Sequence, residues 1–207
     1  MTARAAFWRG EAPLILASGS ATRLQLLEAA GLPVEVIKPV VDERLVEAEF
    51  LAMGGPPAGV AAALAEAKAL SVSPGHPGRV VLSADQMLIC EGRPFHKPED
   101  AAGAERQIAM LAGRKHVLTS AFALARDGRI VGGGASNAVL AIRPLTPDFI
   151  RDYVALAGAA ATTSVGGYQL EGLGIHLFAA IEGDHSTILG LPMLSLLATL
   201  RNLGLAA

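Results

Sequence analysis

A few short segments of this chain carry residues suited to work on an anion. The first is Ser18-Gly19-Ser20-Ala21-Thr22-Arg23. Small residues at the start of a helix let backbone N–H groups and the helix dipole face a phosphate. Ser18, Ser20 and Thr22 add hydroxyl groups, and Arg23 can fork onto phosphate oxygens. The segment also reads as an ordinary helix N-cap at Ser20, since it contains neither a Walker lysine nor a G-x-G-x-x-G pattern.

Carboxylates come next. Asp85 follows the apolar run Val80-Val81-Leu82-Ser83-Ala84 and is expected at a strand's end, where open α/β sheets place their sites. There it could hold a divalent cation or take a proton from water, or simply cap a turn. Asp42-Glu43 offers two more hard oxygen ligands, or a solvated acidic turn. Lys68, one of few charges in an alanine-rich segment, and Lys97, just before Pro98, could neutralise phosphate as mobile point charges or stand free in solvent. The five histidines show no metal-binding spacing, so a zinc site is not expected. Gly166-Gly167-Tyr168-Gln169-Leu170-Glu171-Gly172 sets an aromatic and an acid between glycine breaks. That suits a loop approaching a flat ligand, or a glycine turn with a core tyrosine. Gly132-Gly133-Gly134 is expected to be a bulge or loose loop.

The elements that must position these residues follow from patterning. Leu14–Ala17 reads as a buried strand, 21–30 as a helix closed by Gly31, and 34–40 as a second strand. Residues 59–70 read as a helix, 80–84 as a buried strand, and 98–111 as a helix opened by Pro98. Strands over 116–125 and 130–142 are joined by Asp127-Gly128, a strong hairpin signal. Thr146-Pro147 starts a helix that Gly158 ends, 175–181 is a strand, and 192–203 a closing helix. Alternation of strands and helices with an intervening hairpin argues for an α/β fold with a mixed, twisted sheet. Residues 1–12 read as a loose leader and 13–207 as one domain.

With 207 residues the chain can bury a sizeable core, and with 52% hydrophobic but only 4% aromatic residues that core must be aliphatic. A net charge of -2 gives no basic excess for nucleic acid or a membrane surface. The single Cys90 allows no internal disulfide, in keeping with a reducing compartment. The apolar stretch near the N-terminus is too short for a signal peptide or membrane span. A soluble, cytoplasmic protein is expected.

These segments, in this order, resemble the Maf family of nucleotide pyrophosphatases from about Leu14 to Leu203. LILASGSATR is similar to the family's LILAS-x-S-P-R-R opening, and Val41-Asp42-Glu43 to its V-D-E. Ala65-Glu66-Ala67-Lys68-Ala69 is similar to A-x-x-K-A, Ser83-Ala84-Asp85-Gln86 to A-D-T or S-D-Q, and Lys97-Pro98 to K-P. Gly113-Arg114-Lys115-His116 falls within an L-S-G-x-x-H match, and Glu182-Gly183-Asp184 with Gly190-Leu191-Pro192 matches E-G-D…V-G-L-P.

The resemblance implies an elongated, two-lobed α/β domain with a central cleft, similar to inosine triphosphatases. It implies an enzyme that splits a nucleoside triphosphate into monophosphate and pyrophosphate with a divalent cation, Mg²⁺, Mn²⁺ or Co²⁺. Asp85 would be the catalytic base and, with Glu43, a metal ligand. Ser18, Ser20, Arg23, Lys68 and Lys97 would hold the phosphates, and Gln86 and Glu171 would face the base. Ala21, Thr22, Ser164 and Glu171 depart from the family's usual Pro, Arg, Lys and Gln. Gln86 with Glu171 is closer to the branch acting on 7-methyl-GTP than to the dTTP/UTP branch. A dTTP/UTP enzyme and a nucleotide-binding regulator of cell division without turnover are the alternatives. A nucleotide is the expected partner, without nucleic acid or membrane, and a homodimer stays open.

Overall fold

The computed structural model describes residues 7–207. In chain order these form β1 (Leu14–Leu16), α1 (Ala21–Ala29), β2 (Val34–Val36), α2 (Glu43–Ala52), α3 (Val60–Val72), β3 (Val81–Cys90) and β4 (Arg93–Phe95). Then come α4 (Ala101–Leu111), β5 (Lys115–Arg126), β6 (Arg129–Ile142), α5 (Pro147–Ala157), α6 (Ala160–Thr163), β7 (Phe178–Glu182), α7 (His185–Ile188) and α8 (Met193–Asn202). The fold is α/β with a mixed sheet. Contacts divide the chain into two compact units.

The first unit holds the described residues up to Gln86, with Ser120–Ser136 and Gly190–Ala207. Here β1 lies parallel between β2 and β3, pairing Leu14 with Val34 and Ile15 with Val81. Leu14, Ile15 and Leu16 are all fully buried, as a parallel strand covered on both faces must be. The alanines of α3 pack Ala65 and Ala69 against Ile15 and Val81, where only small side chains let helix and sheet approach closely. Gly132 and Gly134 lie within strand β6 and not in a loose loop: a Cβ there would stand 2.7 Å from Thr199 Cγ2 or 2.8 Å from Ser195 Oγ of α8. Of the stretch read as a loose leader, residues 1–6 lie outside the described residues. The rest is held down: Trp8 is buried, bridges Ala206, and donates from Nε1 to the Ala12 carbonyl at 3.0 Å.

The second unit holds Met87–Thr119 and Asn137–Leu189. There β3 pairs antiparallel with β4, and β6 with β7. Its core gathers Leu88, Ile108, Leu118, Leu140, Tyr153 and Leu177. Tyr168 belongs to the same core, its hydroxyl 2.6 Å from His116 Nε2 and its ring edge-on to Phe178.

Several sequence expectations shift. The strand expected over 80–84 runs on to Cys90, so Asp85 is in mid-strand and not at a strand's C-terminal edge. The strand over 34–40 stops at Val36, before Pro39 can interrupt a ladder. Asp42-Glu43 is no turn: Asp42 caps α2, accepting from the Leu45 N–H, and Glu43 is its first residue. Lys97-Pro98 stays outside α4, which Asp100 caps. The strand over 175–181 starts at Phe178, after a 3₁₀ turn over Leu173–Leu177. Among the described residues no helix is long and apolar enough to cross a membrane.

Candidate active site

Within the first unit, three residues far apart in sequence meet at one cation. Lys68, from the middle of α3, sends its ammonium 2.5 Å from Asp85 Oδ1 and 2.8 Å from Glu43 Oε1. The Lys68 side chain is 8% exposed, Asp85 14% and Glu43 58%. A buried ammonium is costly unless paired, and two carboxylates supply the pairing. The alanine surface of α3 delivers the lysine: its neighbours Ala65 and Ala69 are fully buried, so the stem follows them toward the sheet.

The turn between β1 and α1 forms a second cluster. Ser20 caps α1, its hydroxyl accepting from the Arg23 N–H at 3.4 Å. The buried Ser18 hydroxyl accepts from the Ser20 N–H at 3.3 Å and from Arg23 Nη1 at 3.1 Å. Both bonds arrive at the oxygen, so the Ser18 proton remains to be donated elsewhere. Arg23 Nε donates to the Gly190 carbonyl at 2.8 Å. Arg23 is thus a clamp between the first turn and the chain's C-terminal part. Burial lowers its pKa from the ordinary value, while the charges of Asp85 and Glu43 raise it. Both clusters therefore share one electrostatic neighbourhood.

Gln86 follows Asp85 on β3 and donates from Nε2 to Ser120 Oγ at 3.0 Å. Thus Ser18, Ser20, Arg23, Glu43, Lys68, Asp85 and Gln86 belong to the first unit, with Glu43 and Asp85 both in direct contact with Lys68. Lys97 and Glu171 belong to the second unit, and both are exposed. Lys97 lines a shallow groove with Arg93, Glu99 and Arg106. Tyr168 is a core residue of that unit: burial raises its phenol pKa far above the ordinary value and lowers His116 to about 4. This answers the open reading of the glycine loop in favour of the core tyrosine. The structure adds partners that the motifs leave out, among them the Gly190 carbonyl on Arg23 and the Ser83 hydroxyl on Ala65. The G-L-P motif drew attention to Gly190, but nothing local tied it to Arg23.

Among the described residues no group of three or more His, Cys, Asp or Glu side chains converges as a metal cluster. The two carboxylates around Lys68 are the nearest approach to one, and their hard oxygens suit a divalent cation that takes its remaining ligands from water and phosphate.

The model of a family described as "Maf-like protein" matches residues 13–203. A nucleoside triphosphate pyrophosphatase of Rhodopseudomonas palustris (strain BisB18) is 52% identical over 201 residues, covering 97% of this chain and 98% of the relative. A 7-methyl-GTP pyrophosphatase of Mesorhizobium japonicum is 50% identical over 191 residues, covering 92% and 96%. A solved dITP/XTP pyrophosphatase of Mycobacterium abscessus shares 19% identity, covers 93% of this chain and 98% of its own, and superposes with a TM-score of 0.42.

Proposed function

This chain belongs to the Maf family and is a nucleoside triphosphate pyrophosphatase, a hydrolase, and from that premise we propose which residues do the work and which nucleotide it takes. The observation that carries the reading is the convergence of Glu43 and Asp85 on the Lys68 ammonium. Two carboxylates that share one cationic group can share a divalent cation through their remaining oxygens. Bound there, such a cation would offset charge developing on the phosphates.

The chain's own groups then divide as follows. Asp85 takes a proton from the water that attacks the α-phosphorus. The Pα–O bond to the β-phosphate breaks, pyrophosphate leaves, and the nucleoside monophosphate remains. Lys68 orients the two carboxylates and offers its charge to phosphate oxygens. Ser18 donates its free proton, and Arg23, already fixed by Gly190, presents its Nη2 side. Ser20 keeps the first turn of α1 in register, and Lys97 adds a mobile positive charge. Chemistry of this kind depends on positioning and charge neutralisation more than on covalent help.

For the base we propose a guanine, with 7-methyl-GTP the favoured substrate. Support comes from Glu171, whose carboxylate accepts at both oxygens and so matches guanine's two adjacent donors. The Mesorhizobium relative bears the name of that activity. Gln86 is the second residue proposed to face the base. The test is pyrophosphate release from 7-methyl-GTP, GTP, dTTP and UTP with Mg²⁺, Mn²⁺ and Co²⁺. Release highest for 7-methyl-GTP is expected; dTTP or UTP ranking first would overturn the substrate, and binding without release would overturn turnover.

A further inference from the structure

Ser83 stands two residues before Asp85 on β3, so both occupy the same face of the strand. Its side chain is fully buried, and its hydroxyl donates to the Ala65 carbonyl of α3. Helical side chains lean toward the helix N-terminus, so the Lys68 stem lies over the turn that contains Ala65. The Ser83–Ala65 bond and the Asp85–Lys68 ion pair therefore tie the same helix to the same strand, side by side.

Elsewhere α3 is held at its C-terminal end, where the buried Ser73 Oγ accepts from the Gly128 N–H at 3.0 Å, and between these points its contacts with the sheet are apolar. The packing of α3 on the sheet is made by Ala65, Ala69 and Val72 against Ile15, Ala17 and Val81. Methyl groups on an apolar face resist separation far more than sliding. A buried hydrogen bond has a short length range and a preferred angle, so it resists sliding directly.

We propose that Ser83 is a positioning residue, whose hydrogen bond to Ala65 sets where α3 lies on β3 and thereby holds the Lys68 ammonium against Asp85 and Glu43. Its consequence for turnover rests on the reading above that this ion cluster belongs to the catalytic centre; its consequence for Lys68 does not. Loss of the hydroxyl lets the helix drift by a fraction of an ångström, lengthening a contact that now stands at 2.5 Å. The ammonium then becomes more available to solvent and reagents.

The experiment uses the full chain with Ser83→Ala, and Ser83→Cys as a variant of similar volume and weak donor strength. Lysines are acetylated with limiting acetic anhydride and read by mass spectrometry, with Lys38 and Lys115 as internal standards. In Ser83→Ala, Lys68 should react about 3- to 10-fold faster, the range for one lost neutral hydrogen bond, and the standards should not change. Over the same preparation kcat should fall by a comparable factor with KM within about twofold, the pattern of lost transition-state positioning. Ser83→Cys should fall between, and it carries the test if the alanine variant does not fold. Unchanged Lys68 reactivity in folded protein overturns the proposal whatever the activity. So does a rise in amide exchange throughout the first unit, which would make Ser83 a general stabiliser. Faster Lys68 labelling at unchanged kcat upholds the positioning and overturns the catalytic reading of the cluster instead.

Discussion

Lys68 donates to Asp85 at 2.5 Å from a position almost closed to solvent, and the same ammonium reaches the far more exposed Glu43 at 2.8 Å. The two carboxylates are therefore unequal. Asp85 is fixed by its strand and lies beside a buried charge, while Glu43 rides on α2, of which no residue is buried. A proton acceptor must be held in place, and a metal ligand can adjust. That inequality fits the proposed roles, Asp85 as proton acceptor as well as metal ligand and Glu43 as metal ligand alone.

Asp85→Asn tests this division. The amide keeps the shape and removes the negative charge, so kcat should drop by about 10²–10⁴-fold, the usual range for a lost general base. Lys68 keeps Glu43 as partner, and the fold should survive at a cost of about 1–3 kcal/mol, the penalty for a weakened buried pair. Steady-state kinetics beside urea unfolding would check both numbers. Near wild-type kcat in a folded variant would remove Asp85 from the mechanism.

Arg23 and Lys97 should differ in a way the motifs do not show. Lys97→Ala should lower kcat/KM by a factor equivalent to about 1.5–3 kcal/mol, equally for every nucleotide, because phosphate is common to all. Arg23→Lys should do the same and also lower stability, because the guanidinium joins Ser18 to Gly190 and an ammonium cannot make both bonds in that geometry. A Lys97→Ala enzyme with altered base preference and intact efficiency would show that Lys97 touches the base.

His116 offers a pH test of the second unit. Burial depresses its pKa to about 4 from 6.5, so the folded protein holds it neutral while the unfolded chain can protonate it. The unfolded state therefore binds more protons between these values, and stability is lost as pH falls from about 6.5 toward 4, in total about 3 kcal/mol. His116→Gln keeps a hydrogen-bonding group for Tyr168 and cannot titrate. Subtracting its urea-unfolding free energies at pH 7 and 5 from those of the wild type isolates the histidine. Equal pH slopes would mean that His116 is not held neutral.

Close packing of α8 on β6 predicts a size limit. Gly132→Ala places a methyl 2.7 Å from Thr199 Cγ2 and should cost about 1–3 kcal/mol by overpacking. Thr199→Ser removes that methyl and should restore most of the loss in the double variant, a coupling readable as a shift in Tm. Additive effects would show that the strand and helix separate freely at this point.

The parts of the molecule written in local signals were legible from sequence. Leu14–Leu16, the Ser20 cap and Gly31 at a φ of +74° define the first strand, turn and helix within a short stretch. Asp127 and Gly128, with φ of +52° and +72°, make the expected hairpin turn. Lys68 stood out as a charge in an alanine helix, and it proved to be paired at a buried site. Asp85 was misplaced because apolar character ends at Ala84 while the ladder continues: β3 leaves the first unit after Gln86, and a polar pair inside a strand looks like its end. Helix α2, none of whose residues is fully buried, was overlooked. The bond from Arg23 to Gly190 spans 167 residues, beyond any local pattern.

Glu171 is exposed at the end of the loop that Tyr168 anchors in the core of the second unit. Thymine and uracil offer one donor and one acceptor on the pairing edge, which a glutamine amide can match. Guanine offers its ring N–H and amino group, two donors, and a carboxylate accepts both. Methylation at the 7-position adds positive charge to the ring, which a carboxylate also favours. Bonds to charged groups contribute more than neutral ones, so the matched edge should be favoured by about 2–4 kcal/mol where water is excluded. Tyr168 is committed to His116, and Thr22 offers no aromatic face to a cationic base, which works against the methylated guanine, so the preference rests on the carboxylate. Measured kcat/KM should therefore rank 7-methyl-GTP and GTP above dTTP and UTP in the wild type. Glu171→Gln should narrow or reverse that ranking mainly through the guanine substrates, with Tm unchanged because the side chain is exposed. An unmoved ranking would leave base selection to other residues, Gln86 first among them.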